Sequence, residues 1–368
     1  MTFDQTEPVE RRAIRVLVVD DSATMRRIVQ TVLESAGDIE AHFARSGEEA
    51  ISMLPQVAPD VITLDIILTG MDGLECLERV MKVRPCPVVM VSSLTSEGAT
   101  NTSTALSMGA VDFIQKPQGP LGPDLEPFRS LLIRKVRDAA QACVTRPLPA
   151  MPRIGSLSDR TPNSAPAAVP PSAGPVPSYF PVVVVGASTG GPPALEAILT
   201  QLPGDFPAAV IIAQHMPAAF TAPLAARIGR RAAVPIEEVS GSVQIRPGTV
   251  YIGRGDADLV VGRRQDSLIA SSVDADPQRK WHPSVDRLAE SAMRAADPRR
   301  LVGVLLTGMG DDGASSMTEL RRLGGRTIAE ARETAVVWGM PGALVQAGGA
   351  DRVVPLHDVP RVLHRLVG

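Results

Sequence analysis

"VVVVGASTGGPPAL", residues 182–195, sets the reading of the C-terminal half. Four valines form a short apolar run of the kind that is buried on both faces of a parallel sheet. They enter a glycine-rich turn, and a proline pair then opens a helix. A phosphate-binding loop begins in the same way. Here, however, Ala187 and Ser188 follow Gly186, so the second glycine of the dinucleotide pattern is missing, and the lysine of a P-loop is also absent. What remains, Gly186 to Gly190, fits the G-x-S-x-G elbow, in which a sharp strand-to-helix turn lifts a serine hydroxyl above the sheet.

A serine hydroxyl needs a base and an orienting acid. The chain has five histidines. His42 lies in the N-terminal part, and His357 and His364 lie in the last segment. His215 follows the apolar run "AAVIIAQ" directly, so it leaves a strand at the same end as Ser188. His282, in "KWHPSVDRL", precedes a helix start as a cap-region or substrate-binding residue. Position therefore favours His215 as base. "LLTGMGDDG" (305–313) is another strand entering a glycine turn, and either Asp311 or Asp312 could accept the Nδ1–H of His215. Both could equally cap the helix that follows. The order Ser, His, Asp differs from the Ser, Asp, His of α/β-hydrolases.

The N-terminal half alternates strand and helix in the same style. "IRVLVVDDS", "DIEAHFARSG", "DVITLDI", "PVVMVSS" and "AVDFIQKP" are five strands separated by helical segments. Asp20 and Asp21 close the first strand and Asp65 the third, so a parallel sheet gathers three carboxylates at one edge. Such a cluster calls for a hard divalent cation such as Mg²⁺. Ser92 ends the fourth strand and Lys116 follows the fifth. A hydroxyl, an ammonium and a metal around one carboxylate suit phosphoryl transfer to Asp65.

Between the halves, Arg146 to Pro181 contains ten prolines mixed with Ser, Ala and Gly. That composition builds no core and reads as a linker. The expected organisation is a domain over 13–131, a linker over 132–179, and a second domain over 180–368. Net charge is −3 without a basic block, which disfavours nucleic acid and anionic membranes as partners. Three scattered cysteines, Cys76, Cys86 and Cys143, fit neither a disulfide framework nor a metal cluster. The polar start "MTFDQTEPVERR" is unlike a signal peptide, and no apolar run reaches the roughly 20 residues of a membrane helix. A cytoplasmic protein is expected, with no membrane insertion.

Two resemblances cover nearly the whole chain. The Asp20-Asp21 doublet, Asp65, Ser92 and Lys116-Pro117 stand in the order of response-regulator receiver domains, with Phe113 at the aromatic switch position. That resemblance implies a flavodoxin-like fold with a five-stranded parallel sheet and phosphorylation of Asp65 by a histidine kinase. It also implies Mg²⁺ held by Asp20, Asp21, Asp65 and the backbone carbonyl of Ile67. Leu68-Thr69 stands where the family often has Met-Pro. In the second half "GASTGG", "QHMP", "HPSVD", "LLTGMGDDG" and "GMP" resemble the catalytic domain of the CheB chemotaxis methylesterases. That resemblance implies a Rossmann-like, mostly parallel α/β domain without a cofactor. The catalytic set would be Ser188, His215 and Asp312, with the Met309 N–H at the oxyanion and Thr189 beside the nucleophile. The implied substrates are γ-methyl glutamate esters, and glutamine amides, on methyl-accepting chemoreceptors.

Overall fold

The computed structural model describes residues 12–93, 96–117, 125–142 and 180–368. The chain divides into two units, Met1–Arg146 and Pro147–Gly368. The first alternates β1 (Ile14–Val19), α1 (Ala23–Glu34), β2 (Ile39–Ala44), α2 (Gly47–Val57), β3 (Val61–Asp65), α3 (Gly73–Val83), β4 (Val88–Ser92), α4 (Ser96–Ser107), β5 (Asp112–Gln115) and α5 (Leu125–Ala140). Its five strands pair in parallel in the order β2-β1-β3-β4-β5. Every residue of β3 and of β4 is buried, as a sheet covered by helices on both faces requires. Helix starts follow side-chain caps: Ser22 Oγ accepts from the Met25 N–H, Ser46 Oγ from Glu49, and Asp72 Oδ1 from Glu75.

One boundary differs from the sequence expectation. α5 continues to Ala140, beyond residue 131, because Leu132, Val136 and Ala139 keep the helical spacing and bury against Val16, Val29 and Ile114. Residues 143–179 of the expected linker, including Cys143, lie outside the described residues. Cys76 and Cys86 are buried thiols, each pushed up to about 12 chiefly by burial, and so poorly reactive.

The second unit runs β6 (Val182–Ala187), α6 (Gly191–Leu199), β7 (Ala209–Gln214), α7 (Ala218–Gly229), β8 (Ile236–Val239), β9 (Ser242–Gln244), β10 (Val250–Gly253), β11 (Ala257–Arg264) and β12 (Ser267–Asp274). It continues through α8 (Val285–Ala295), β13 (Leu301–Leu305), α9 (Ala314–Arg322), β14 (Arg326–Glu330), α10 (Met340–Gln346), β15 (Arg352–Val354) and α11 (Val359–Val367). Seven strands form a sheet in the order β15-β14-β13-β6-β7-β10-β8, and all its pairings are parallel. The four expected strands, β6, β7, β13 and β14, lie side by side in it. β9, β11 and β12 form a separate three-stranded antiparallel sheet that the sequence reading did not anticipate. α8 packs between the two sheets: Val285, Leu288, Ala289 and Ala292 join one core with Val184, Leu259 and Leu305.

Candidate active site and phosphoacceptor site

β6 sits in the middle of the seven-stranded sheet, and its carboxyl end is where the chain's direction of travel across the sheet reverses. β6 pairs with β7 through Ala187 and Gln214, so Ser188 and His215 are the next residues on adjacent strands. The pairing continues past the strands, with the His215 N–H bonded to Ala187 O at 3.0 Å. On the other side β13 pairs Leu305 with Gly186, and the Ser188 N–H donates to Thr307 O at 3.0 Å. A ring of buried contacts fixes the serine turn. The Gln214 amide donates to Ser188 O at 2.9 Å, and Thr307 Oγ1 donates to Thr189 O at 2.9 Å. Gly190 takes φ +77°, a left-handed conformation, and lets Val336 approach. A Cβ on Gly308 would stand 2.6 Å from Ser188 Cβ, so glycine there is what lets the two turns meet.

His215 and Asp312 come together. His215 Nε2 lies 2.9 Å from Asp312 Oδ2, and both side chains are almost wholly buried. The ring nitrogen differs from the expectation: the acid holds Nε2, and Nδ1 is buried without a partner. His215 leaves β7 next to the serine turn, while Asp312 comes from the β13–α9 turn. That approach puts the carboxylate at Nε2 and leaves Nδ1 without a bond, to Ser188 Oγ or to any other group among the described residues.

Asp312 is strongly held. Oδ2 also accepts from the Val285 N–H at 2.8 Å, and Oδ1 accepts from the Asp286 N–H at 3.0 Å and Ser284 Oγ at 3.2 Å. The carboxylate thus caps the start of α8, where unpaired N–H groups favour negative charge. Burial alone would raise its pKa. The bonds from His215, Asp286 and Val285 outweigh this and hold it below the ordinary value. Asp311, the alternative acid, is exposed.

The remaining expected residues surround this set. Thr189 is buried beside Ser188. The carbonyl of Gly308 accepts from the Gly339 and Met340 N–H groups at 3.1 and 2.8 Å. Peptide planarity then turns the Met309 N–H to the opposite side, and it meets no acceptor among the described residues. His282 precedes the cap of α8 and bonds Asp258 through Nδ1 at 3.0 Å. Trp281 stacks on His215 with ring centroids 5.3 Å apart and planes within 6°. Glu330, a buried acid under Thr307, was not singled out in the sequence. Its Oε2 accepts from the Thr307 N–H at 2.7 Å, and burial raises it to about 7.

In the first unit, Asp20, Asp21 and Asp65 each offer a carboxylate oxygen, all within 4.8 Å of one another. Lys116 Nζ reaches Asp65 Oδ2 at 2.6 Å and Asp20 Oδ2 at 3.0 Å. Burial raises the pKa of Asp65, with partial relief from Lys116. Burial opposes the charge of Lys116, yet its contacts with Asp65 and Asp20 leave its pKa raised. Asp21 is exposed and accepts from Thr69 Oγ1 at 2.6 Å. The exposed Ile67 folds its N–H back to Asp65 Oδ1 at 3.1 Å. Three converging carboxylate oxygens against one ammonium leave negative charge in excess, a donor set that fits a hard divalent cation. Ser92 is fully buried, and its hydroxyl bonds Ser93 O and Gly98 O rather than Asp65. Phe113 is buried, with Lys135 Nζ 5.7 Å from its ring centroid.

Comparison with known proteins agrees with both halves of this description. The CheB methylesterase family model matches residues 183–363, and the response regulator receiver domain model matches residues 16–121. A protein-glutamate methylesterase/protein-glutamine glutaminase of Rhodopseudomonas palustris is 48% identical over 355 residues, covering 94% of this chain and 96% of that protein. One from Caldanaerobacter subterraneus is 42% identical, covering 97% of each chain. Among solved structures, the CheB methylesterase catalytic domain of Thermotoga maritima covers 51% of this chain and all of its own length. Its sequence identity is 35% and the TM-score is 0.50. Among the described residues no helix is long and apolar enough to cross a membrane.

Proposed function

This chain belongs to the CheB family of protein-glutamate methylesterases/protein-glutamine glutaminases, and from that premise we propose that Ser188, His215 and Asp312 carry its hydrolytic chemistry. The substrates are γ-methyl glutamate esters on methyl-accepting chemoreceptors. The single observation behind this reading is the buried His215–Asp312 pair at the strand end next to Ser188, with Nδ1 unpartnered. The Ser188 hydroxyl attacks the ester carbonyl while His215 Nδ1 takes its proton. Asp312, bonded at Nε2, stabilises the imidazolium and fixes the tautomer. The oxyanion faces the glycine turn, where the Met309 N–H is a donor; one such donor contributes about 3–4 kcal/mol. Collapse expels methanol with the proton returned from Nδ1. Water, activated by the same nitrogen, then cleaves the glutamyl-serine ester. With a glutamine amide in place of the ester the leaving group is ammonia. Thr189 lines the turn beside the nucleophile, and no cofactor takes part in this domain.

The receiver over 13–131, continued by α5 to Ala140, and the esterase domain over 180–368 are joined by the proline-rich linker between them. A histidine kinase of the receptor array donates its phosphoryl group to Asp65. Asp20, Asp21, Asp65 and the Ile67 carbonyl would hold Mg²⁺, which when bound offsets the charge on the incoming phosphoryl oxygens. Lys116 contributes its ammonium, and Ser92 and Phe113 report the change to the rest of the receiver. Phosphorylation controls the esterase, and a shift of about 1.4 kcal/mol between two states suffices for a tenfold change in activity. The protein acts in the cytoplasm, on the receptors' cytoplasmic helices. Methanol release from methylated receptor, with and without acetyl phosphate, is the test. Wild type is expected to release methanol faster with the phosphodonor, whereas Ser188→Ala releases none while keeping its fold. Release by the Ser188→Ala protein removes the assignment.

A further inference from the structure

We propose that Asp258 is a positioning residue for this hydrolysis, acting on Asp312 and His215 through the segment that leads into α8. The inference rests on the reading of Ser188, His215 and Asp312 given above. Asp258 lies on β11 in the small antiparallel sheet, with none of its surface exposed. Its Oδ1 accepts from the Ser284 N–H at 2.8 Å and pairs with His282 Nδ1 at 3.0 Å. Its Oδ2 accepts from an Arg287 guanidinium nitrogen at 2.6 Å and from the Asp276 N–H at 3.0 Å. Burial penalises the charge, but the His282, Ser284, Arg287 and Asp276 donors outweigh it and keep the carboxylate ionised.

Ser284 is the link. Its N–H belongs to Asp258, while its hydroxyl donates to Asp312 Oδ1 and caps α8 by accepting from the Arg287 N–H. The next two N–H groups, of Val285 and Asp286, also point at Asp312. Three of the four groups bonded to Asp312 therefore come from consecutive residues whose first backbone N–H is fixed by Asp258. The fourth is His215. Asp258 also anchors Asp276 and His282 on either side of Trp281, whose ring lies on the imidazole of His215. One carboxylate outside the reacting atoms thus sets both neighbours of the imidazole: the acid at Nε2 and the indole on its face. Arg287 ties the arrangement to the end of β12 through Asp274 O at 2.8 Å. Such a supporting group holds a base in register without touching substrate.

The experiment compares full-length wild type, Asp258→Asn and Ser291→Ala. Ser291 stands in the same contact between α8 and β11, where its hydroxyl accepts from the Val261 N–H at 2.9 Å and donates to Leu288 O at 2.8 Å. Melting temperature, kcat, KM and the pH profile of methanol release from methylated receptor fragment are measured for each. Both variants are expected to melt lower. Only Asp258→Asn is expected to lose about tenfold or more in kcat at nearly unchanged KM. Its acid limb is expected to move down by about half a pH unit or more, as Asp312 loosens its hold on the imidazolium. Equal proportional losses in the two variants, with the wild-type pH profile in both, would make Asp258 scaffold only and overturn the proposal. Should Asp258→Asn not fold, Ser284→Ala keeps the N–H bonded by Asp258 and removes the hydroxyl that bonds Asp312 and the Arg287 N–H. It is expected to give the same pH shift in smaller measure, and an unchanged profile again overturns the proposal. A wild type that releases no methanol overturns the parent reading, and this one with it, whereas an active wild type beside an unaffected Asp258→Asn overturns this one alone.

Discussion

Replacing Asp312 by Asn changes one atom and should remove nearly all turnover. The carboxylate accepts from His215 and Val285 at Oδ2 and from Ser284 and Asp286 at Oδ1. An amide can serve one of these pairs with its oxygen and must point its NH₂ at the other. With the NH₂ toward His215, Nε2 becomes an acceptor, the ring proton moves to Nδ1, and the lone pair needed by Ser188 is gone. With the NH₂ toward Asp286, two donors face each other and the imidazolium still loses its counter-charge. Either arrangement resembles the wrong-tautomer case in serine proteases, so a loss of about 10³–10⁴ in kcat is expected. That corresponds to about 4–5 kcal/mol of transition-state stabilisation. Unpaired donors at the start of α8 cost about 1–3 kcal/mol each in stability, so melting temperature falls as well. Removing an anion beside the imidazolium disfavours its charged form, and the acid limb of the residual activity moves to lower pH. The assay is methanol release across pH, with near-UV circular dichroism to show that the variant is folded. A folded Asp312→Asn protein keeping more than about a tenth of wild-type kcat refutes this account of the site.

Glu330, fully buried under Thr307, keeps its proton to about pH 7 when folded and to about pH 4.5 when unfolded. Stability therefore falls as pH rises through that window, by roughly 3 kcal/mol, and Glu330→Gln should flatten denaturant midpoints measured from pH 4.5 to 8. Gly308→Ala would place a methyl group 2.4 Å from Met340 Sδ and 2.6 Å from Ser188 Cβ. It is expected to cost about 1–3 kcal/mol by urea melt and to depress kcat by displacing the nucleophile; wild-type values for both would count against the turn packing described here. Asp65→Asn should leave the esterase unresponsive to acetyl phosphate, and a response equal to wild type would move the phosphoacceptor elsewhere.

Local signals carried most of the architecture. Runs such as "VVVV" and "VVMVS" are unbroken by polar residues because both sheet faces are covered, so strand type and parallel pairing were readable together. Asp20, Asp65 and Ser188 were readable because each ends such a run or follows it directly. Tertiary terms were not. The ring nitrogen that meets Asp312 depends on the direction from which the β13–α9 turn arrives, which no spacing encodes. Asp258 sits in a strand of the antiparallel sheet whose outer positions are polar, "ADLVVGRR", so it looks like one more charge on a solvated hairpin. Only its contacts with Ser284, His282 and Arg287, 24 to 29 residues away, show otherwise. Nothing in the spacing marks Trp281 as the neighbour of an imidazole. Glu330 ends a strand as Asp65 does, and both are buried; the Lys116 ammonium beside Asp65, where Glu330 has the Thr307 N–H, separates them.

Both sites occupy the same topological position. In the first sheet the strand order reverses between β1 and β3, and Asp20 and Asp65 stand at those two strand ends. In the second it reverses between β6 and β13, and Ser188 and Asp312 follow those two strands. At such a point the crossover helices leave toward opposite faces, and the loops part to open a crevice at the carboxyl ends. A pair of functional groups facing each other there need not be near in sequence; it need only follow the two diverging strands. This explains how the order Ser, His, Asp can assemble the set that α/β-hydrolases assemble as Ser, Asp, His. The acid can follow whichever strand lies across the crevice, and here that is β13, reached only after β7 has supplied the base. What the crevice does not supply is a rigid seat for the acid. In this chain the start of α8 surrounds the acid with the Ser284 hydroxyl and the Val285 and Asp286 N–H groups, and the Asp258 carboxylate on the antiparallel sheet bonds the Ser284 N–H, which is the contact that the Asp258→Asn comparison tests.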